Sequence, residues 1–93
     1  MLTARQLRME TGATSRQIDY WSRHQCIDSV GKTLPGTGYR RQFEESIIPR
    51  VKILVKASRA FGGNLNADIL RKIYDNFEEG KVRVGADIWI VWT

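Results

Sequence analysis

The sequence predicts a mainly α domain with a small β content: four helices, a wing-type hairpin and a C-terminal β-hairpin. Three observations predict it. Thr-x-x-Gln occurs at Thr3–Gln6 and again at Thr14–Gln17, and each is a capping box that starts a helix. Ile47, Val51, Leu54, Ser58 and Phe61 recur at 4-3-4-3 spacing, the stripe of an amphipathic helix. The runs Lys81–Val84 and Ile88–Trp92 sit either side of Gly85-Ala86-Asp87 and read as a hairpin with a three-residue loop.

The first helix follows Thr3, with Ala4, Leu7 and Thr11 at helical spacing, and Gly12 ends it in the left-handed conformation. The second follows Thr14. Its Ile18 and Trp21 share the buried face, and Arg16, Gln17, Tyr20 and Arg23 lie on or near the other. Two short helices joined by a tight glycine-containing turn make a helix-turn-helix. Cys26, Ile27 and Val30 are apolar anchors after it, and Gly31, Pro35, Gly36 and Gly38 punctuate a loop. Tyr39–Phe43 reads as a strand partnered by Ile27–Val30. Its tip carries Lys32 and leads into Arg40 and Arg41, so the element is a wing and the fold a winged helix-turn-helix.

The third helix begins near Ser46, because Pro49 fits only a first turn, and Gly62-Gly63 stops it. Lys52, Lys56 and Arg59 form its wet face. Asn66 caps the fourth helix, Leu65 staples onto Leu70, and Ile69, Leu70, Ile73 and Phe77 form its apolar face before Gly80. The strand Ile88–Trp92 is apolar on both faces, so both are expected to be covered, one by the domain's own helices and the other by a partner chain. Residues 1–93 are expected to form one domain. Residues 1–61 would be its core, and 62–93 a helix plus hairpin available for self-association through 81–92.

Charge points to a polyanionic partner. The net charge is +5, and it is uneven: residues 1–61 carry 11 Lys/Arg against 5 Asp/Glu, whereas 62–93 carry 4 against 5. No run approaches the ~20 apolar residues of a membrane span. No secretory signal is visible, and Cys26 is the only cysteine, so a cytoplasmic location is expected. An enzyme is not expected: His24 is the single histidine, and Glu44-Glu45 and Glu78-Glu79 read as helix-end charges. No cofactor or metal is expected either, since His24 and Cys26 have no second pair to build a site.

Gly12-Ala13-Thr14, Arg16, Ile18-Asp19-Tyr20-Trp21-Ser22-Arg23 and later Gly38-Tyr39-Arg40-Arg41-Gln42-Phe43 resemble the DNA-binding domain of MerR-type regulators over residues 2–60. The resemblance implies that Thr14, Ser15 and Arg16 open a recognition helix in the major groove. It implies that Tyr20 meets a backbone phosphate, that Arg23 lies at the helix end, that Arg40 or Arg41 is the wing arginine and that Trp21 packs. With Gln17, Lys32 and Tyr39 these are the candidate DNA-binding residues. Arg16 is the best base reader, because arginine pairs bidentately with guanine.

Three departures stand out. Asp19 occupies a place where many family members carry a basic residue, and a carboxylate there repels phosphate unless an arginine pairs with it. Glu10 stands where the first helix is usually apolar. The long dimerising helix and effector domain are not expected in 93 residues, and with them no small-molecule effector. The expected function is a small sequence-specific transcriptional regulator that binds double-stranded DNA. A phage excisionase, built on a similar module, is the alternative. A protein-interaction adaptor using the C-terminal hairpin is a further one.

Overall fold

The computed structural model describes residues 1–30, 41–63 and 65–92. Those residues are mainly helical with two small antiparallel strand pairs, as the patterning predicts. Strand β1 (Leu2–Thr3) leads directly into α1 (Ala4–Thr11), and α2 is Ser15–Arg23. After β2 (Gln42–Phe43) and a 3-10 turn (Glu45–Ile47) come α3 (Ile48–Ala60) and α4 (Ala67–Asp75). A second 3-10 turn (Phe77–Glu79) precedes β3 (Lys81–Arg83) and β4 (Trp89–Val91).

Both capping boxes form. The Thr3 hydroxyl accepts from Gln6 N–H at 3.2 Å, and the Gln6 carboxamide oxygen accepts from Thr3 N–H at 2.9 Å. The Thr14–Gln17 pair repeats this at 3.1 and 2.9 Å. Gly12 links the helices at φ 77°, where a side chain would be strained, and donates to Arg8 O at 2.8 Å. Buried Thr11 closes the turn, since its hydroxyl donates to Leu7 O at 2.7 Å and accepts from Ala13 N–H at 3.3 Å.

Helix α3 lies between α1 and α4 and supplies the centre of the core. Val51, Ile53, Leu54, Val55, Ala57 and Ser58 are buried on it, while Lys52, Lys56 and Arg59 stay exposed. Pro49 sits in its first turn, where no helical N–H is lost. Leu7 from α1, Ile18 and Trp21 from α2, Phe43 from β2, and Leu70, Ile73 and Tyr74 from α4 pack into the same cluster.

Two expectations are corrected, on Phe61 and on the end of the fourth helix, and the strand pairing is extended. The strand ending at Phe43 meets the expected stretch Ile27–Val30 through a bridge between Val30 and Gln42, and it has a second partner that the patterning did not show, the N-terminus: Leu2 pairs with Phe43 and Thr3 with Gln42. Cys26 and Ile27 are fully drawn into the core straight after α2, so only Val30 reaches the strand, donating to Gln42 O at 2.7 Å. The tip of the expected wing, with Lys32, Tyr39 and Arg40, lies outside the described residues. Phe61 is exposed, because α3 ends at Ala60 and the chain leaves the helical path there. The α-helical part of the fourth helix stops at Asp75. The Asn76 side chain caps it by donating to Lys72 O at 2.8 Å, and Tyr74 joins the buried face. Gly80 still terminates the segment at φ 72°.

The C-terminal hairpin is covered on one face by the domain itself, as expected, and among the described residues nothing covers the other. Val82 and Ile90 are buried, and Trp92 is tied to the body by its indole N–H, which donates to Phe77 O at 3.1 Å. The opposite face leaves Trp89 at 52% and Val91 at 69% exposure.

Two buried groups make stability pH-dependent. Burial pushes the Tyr74 phenol above its ordinary value of 10.0, against the lowering effect of its hydrogen bond with Asp28 N–H. Burial likewise pushes the Cys26 thiol above 9.0, with Arg71 opposing. A raised folded value favours the neutral form, so each contribution is complete below the unfolded value and lost as pH rises through the folded one. The urea midpoint is therefore expected to hold between about pH 7 and 8.5 and to fall by about pH 11, with Tyr74→Phe flattening part of the fall. A midpoint unchanged across that range would contradict the assignment.

Candidate nucleic-acid interface

Helix α2 divides cleanly. Ile18 and Trp21 turn into the core, and Ser15, Arg16, Asp19, Tyr20 and Arg23 turn out. The i, i+1, i+4, i+5, i+8 set that remains outside is one continuous polar face, as 3.6 residues per turn require. Thr14 and Gln17 border this face but are committed to each other through the capping box, and Gln17 is half-buried. Their side chains therefore start the helix. The Tyr20 ring packs on His24 with centroids 4.2 Å apart, which holds the phenol over the last turn.

Asp19 is bracketed by two arginines. Arg23 Nε lies 3.2 Å from Oδ2, and Arg41 Nη1 lies 3.7 Å from Oδ1. The two arginines together offset the charge of the carboxylate on this face. The pairing also gives Arg41 a role the sequence did not show. Its side chain is only 18% exposed, so it ties the segment entering β2 to the middle of α2.

Two further cations join this face. Arg5 and Arg8 of α1 line a shallow cavity of about 180 Å³ together with Ser15, Asp19 and Arg41. Sequence reasoning passed over both arginines. The available signal was their spacing around buried Leu7, which leaves them on the outer side of α1.

The C-terminal end of α2 is anchored from α4. Gln25 turns the chain at φ 57°, a left-handed conformation uncommon for a residue with a side chain. Cys26 N–H then returns to Trp21 O at 2.8 Å. Arg71 holds this turn: Nη1 donates to Gln25 O at 3.2 Å and to Asp28 Oδ1 at 2.8 Å, while Nε donates to Asp75 Oδ2 at 3.1 Å. Its guanidinium lies 5.0 Å from the Tyr74 ring centroid. Burial works to lower the Arg71 pKa, but the hydrogen bonds and charges of Asp28 and Asp75 outweigh it and the net shift is upward.

Ser22, His24, Asp28, Asp68 and Arg71 line an open polar groove of about 950 Å³ beside this anchor. Among the described residues no group of three or more His, Cys, Asp or Glu converges as metal ligands, and no helix is long and apolar enough to cross a membrane. Compared with protein-family models, with curated proteins and with solved structures, the chain matches none.

Proposed function

We propose that this chain is a winged helix-turn-helix protein that binds double-stranded DNA and reads sequence with α2, acting as a small transcriptional regulator of MerR type. The observation that carries the reading is the bracketed Asp19: an acidic residue on the outer face of α2 is neutralised by Arg23 and Arg41, leaving a face dominated by cations. Arg16 and Ser15 occupy the first turn of α2, the part of a recognition helix that meets base edges. On this reading the exposed Arg5, Arg8 and Arg23 meet phosphates, which supply affinity without sequence information. Residues 1–61 carry the excess positive charge this partner requires.

Arg16→Ala separates reading from positioning. Arg16 is exposed, so the fold is expected to be unchanged. Affinity for a selected site is expected to fall by ~1–3 kcal/mol, with base preference relaxed at one position. Arg5→Ala is expected to weaken selected and random duplexes alike. Site selection from a random library, followed by anisotropy titration of both duplex types, measures this. Equal weakening by Arg16→Ala on both duplexes would show that α2 is not the reading helix.

A further inference from the structure

We propose that the free edge of β4 pairs with β4 of a second copy of this chain, antiparallel across a two-fold axis at Ile90. The first ground is the direction of the backbone groups. The β3–β4 ladder pairs Lys81 with Val91, Val82 with Ile90 and Arg83 with Trp89. Trp92 N–H donates to Gly80 O at 2.8 Å and Val84 N–H to Ile88 O at 2.9 Å. Hydrogen-bonded pairs alternate in an antiparallel ladder, so Val82–Ile90 is one of them, and Trp89 and Val91 aim their N–H and C=O groups away from β3. Among the described residues no strand pairs with those groups, and they form the template of an open edge.

The second ground is the chemistry around that edge. Ile88, Trp89 and Val91 are 63%, 52% and 69% exposed. No residue from Ile88 to Trp92 is charged, so the edge lacks the lysine or other charge that normally guards such strands. The cations nearby are engaged within the hairpin. Lys81 Nζ lies 5.6 Å from the Trp89 ring centroid, and the Arg83 guanidinium donates to Gly85 O and Ala86 O across the loop. Among the described residues the cations beside this edge thus have partners within the hairpin, and a neutral apolar strand fits the edge better than an acidic one.

A second β4 is such a strand, and it closes on itself. With the axis at Ile90, Trp89 faces Val91 of the other copy and Val91 faces its Trp89. Both are hydrogen-bonded pairs that use the outward groups. Each also places an aromatic ring beside a β-branched side chain, a favourable cross-strand pair. Both copies keep Ile90 on the covered side of the joined sheet. The two β3 strands end three strand spacings apart, about 14 Å, so their like charges are screened at physiological salt. β4 is only three residues long, so the dimer is expected to be concentration-dependent.

Sedimentation equilibrium of the full chain, from about 10 µM to about 1 mM, tests this without DNA. A monomer-to-dimer transition is expected. Val91→Glu puts a charge at the edge while facing Lys81 across the ladder, so the monomer keeps its fold; Val91→Pro removes only an outward N–H. Each is expected to raise the dimer dissociation constant at least tenfold with an unchanged circular dichroism spectrum. Three outcomes would overturn the proposal. They are a wild-type monomer at the highest concentration, a dimer that survives in either folded variant, and unfolding of both variants, which would place Val91 inside the monomer's own core. None of these readouts depends on DNA binding, so the two proposals fail separately.

Discussion

Trp21→Ala is expected to cost ~3–5 kcal/mol of folding stability, the range for truncating a large buried aromatic side chain. Trp21 is 2% exposed and occupies the inward face of α2 beside Ile18. Its carbonyl also receives the N–H of Cys26 at 2.8 Å, so the helix and its closing turn share one anchor. A domain of this size has ~5–15 kcal/mol in total, and each kcal/mol moves the melting temperature by roughly 4–8 °C. The variant is expected to melt at least ~12 °C lower and, in a marginal case, to be unfolded at room temperature. Thermal and urea unfolding followed by circular dichroism measures it. A loss below ~1 kcal/mol would mean that α2 is held by something other than its Ile18–Trp21 face. The variant matters for function because α2 can present Arg16 and Tyr20 only while this inner face is seated.

The second large effect expected is on the proposed affinity for DNA. Arg5, Arg8, Arg16 and Arg23 are exposed on α1 and α2, with Arg41 behind them on Asp19. Phosphate contacts from such a set release condensed counterions, ~0.9 per phosphate neutralised. The slope of log affinity against log salt is therefore expected to be roughly −3 to −6. Between about 50 and 200 mM salt, that is a loss of roughly two to three and a half orders of magnitude. Replacing Arg5 and Arg8 together by Ala is expected to make the slope shallower by ~1.8 while leaving base preference intact. Anisotropy titrations over that salt range decide it. A slope near zero, or no binding to any duplex at low salt, would end the DNA-binding proposal.

The elements of the fold were largely legible, because the signals that start and stop them are local. A capping box closes within one helical turn, so Thr3 with Gln6 and Thr14 with Gln17 could be read without any tertiary information. The same holds for Gly12 and Gly80 in the left-handed region and for Asn66, whose side chain accepts from Ile69 N–H at 2.9 Å. The outer face of α2 was legible as well, since burial of Ile18 and Trp21 decides which residues remain outside. Gln17 takes a structural part that the same local signal shows: its carboxamide oxygen closes the capping box by accepting from Thr14 N–H at 2.9 Å.

Sequence by itself thus determined the helices, their caps and the apolar stripes, through interactions that span one or two turns. What joins those pieces was decided only in three dimensions. A two-residue strand such as Leu2–Thr3 has no periodicity, so its pairing with Gln42–Phe43 becomes visible only when α1 is seated on α3. Arg41 and Asp19 are 22 positions apart, and Arg71 and Gln25 are 46 apart. Neither distance in sequence implies a contact. The same limit applies to the tryptophans of the hairpin. Alternation puts Trp89 and Trp92 on opposite faces, but which face the helices cover depends on how β3 lies against α4. Packing there seats Trp92 on Phe77 and leaves Trp89 in water, because a two-stranded sheet has two faces and the domain has core for only one.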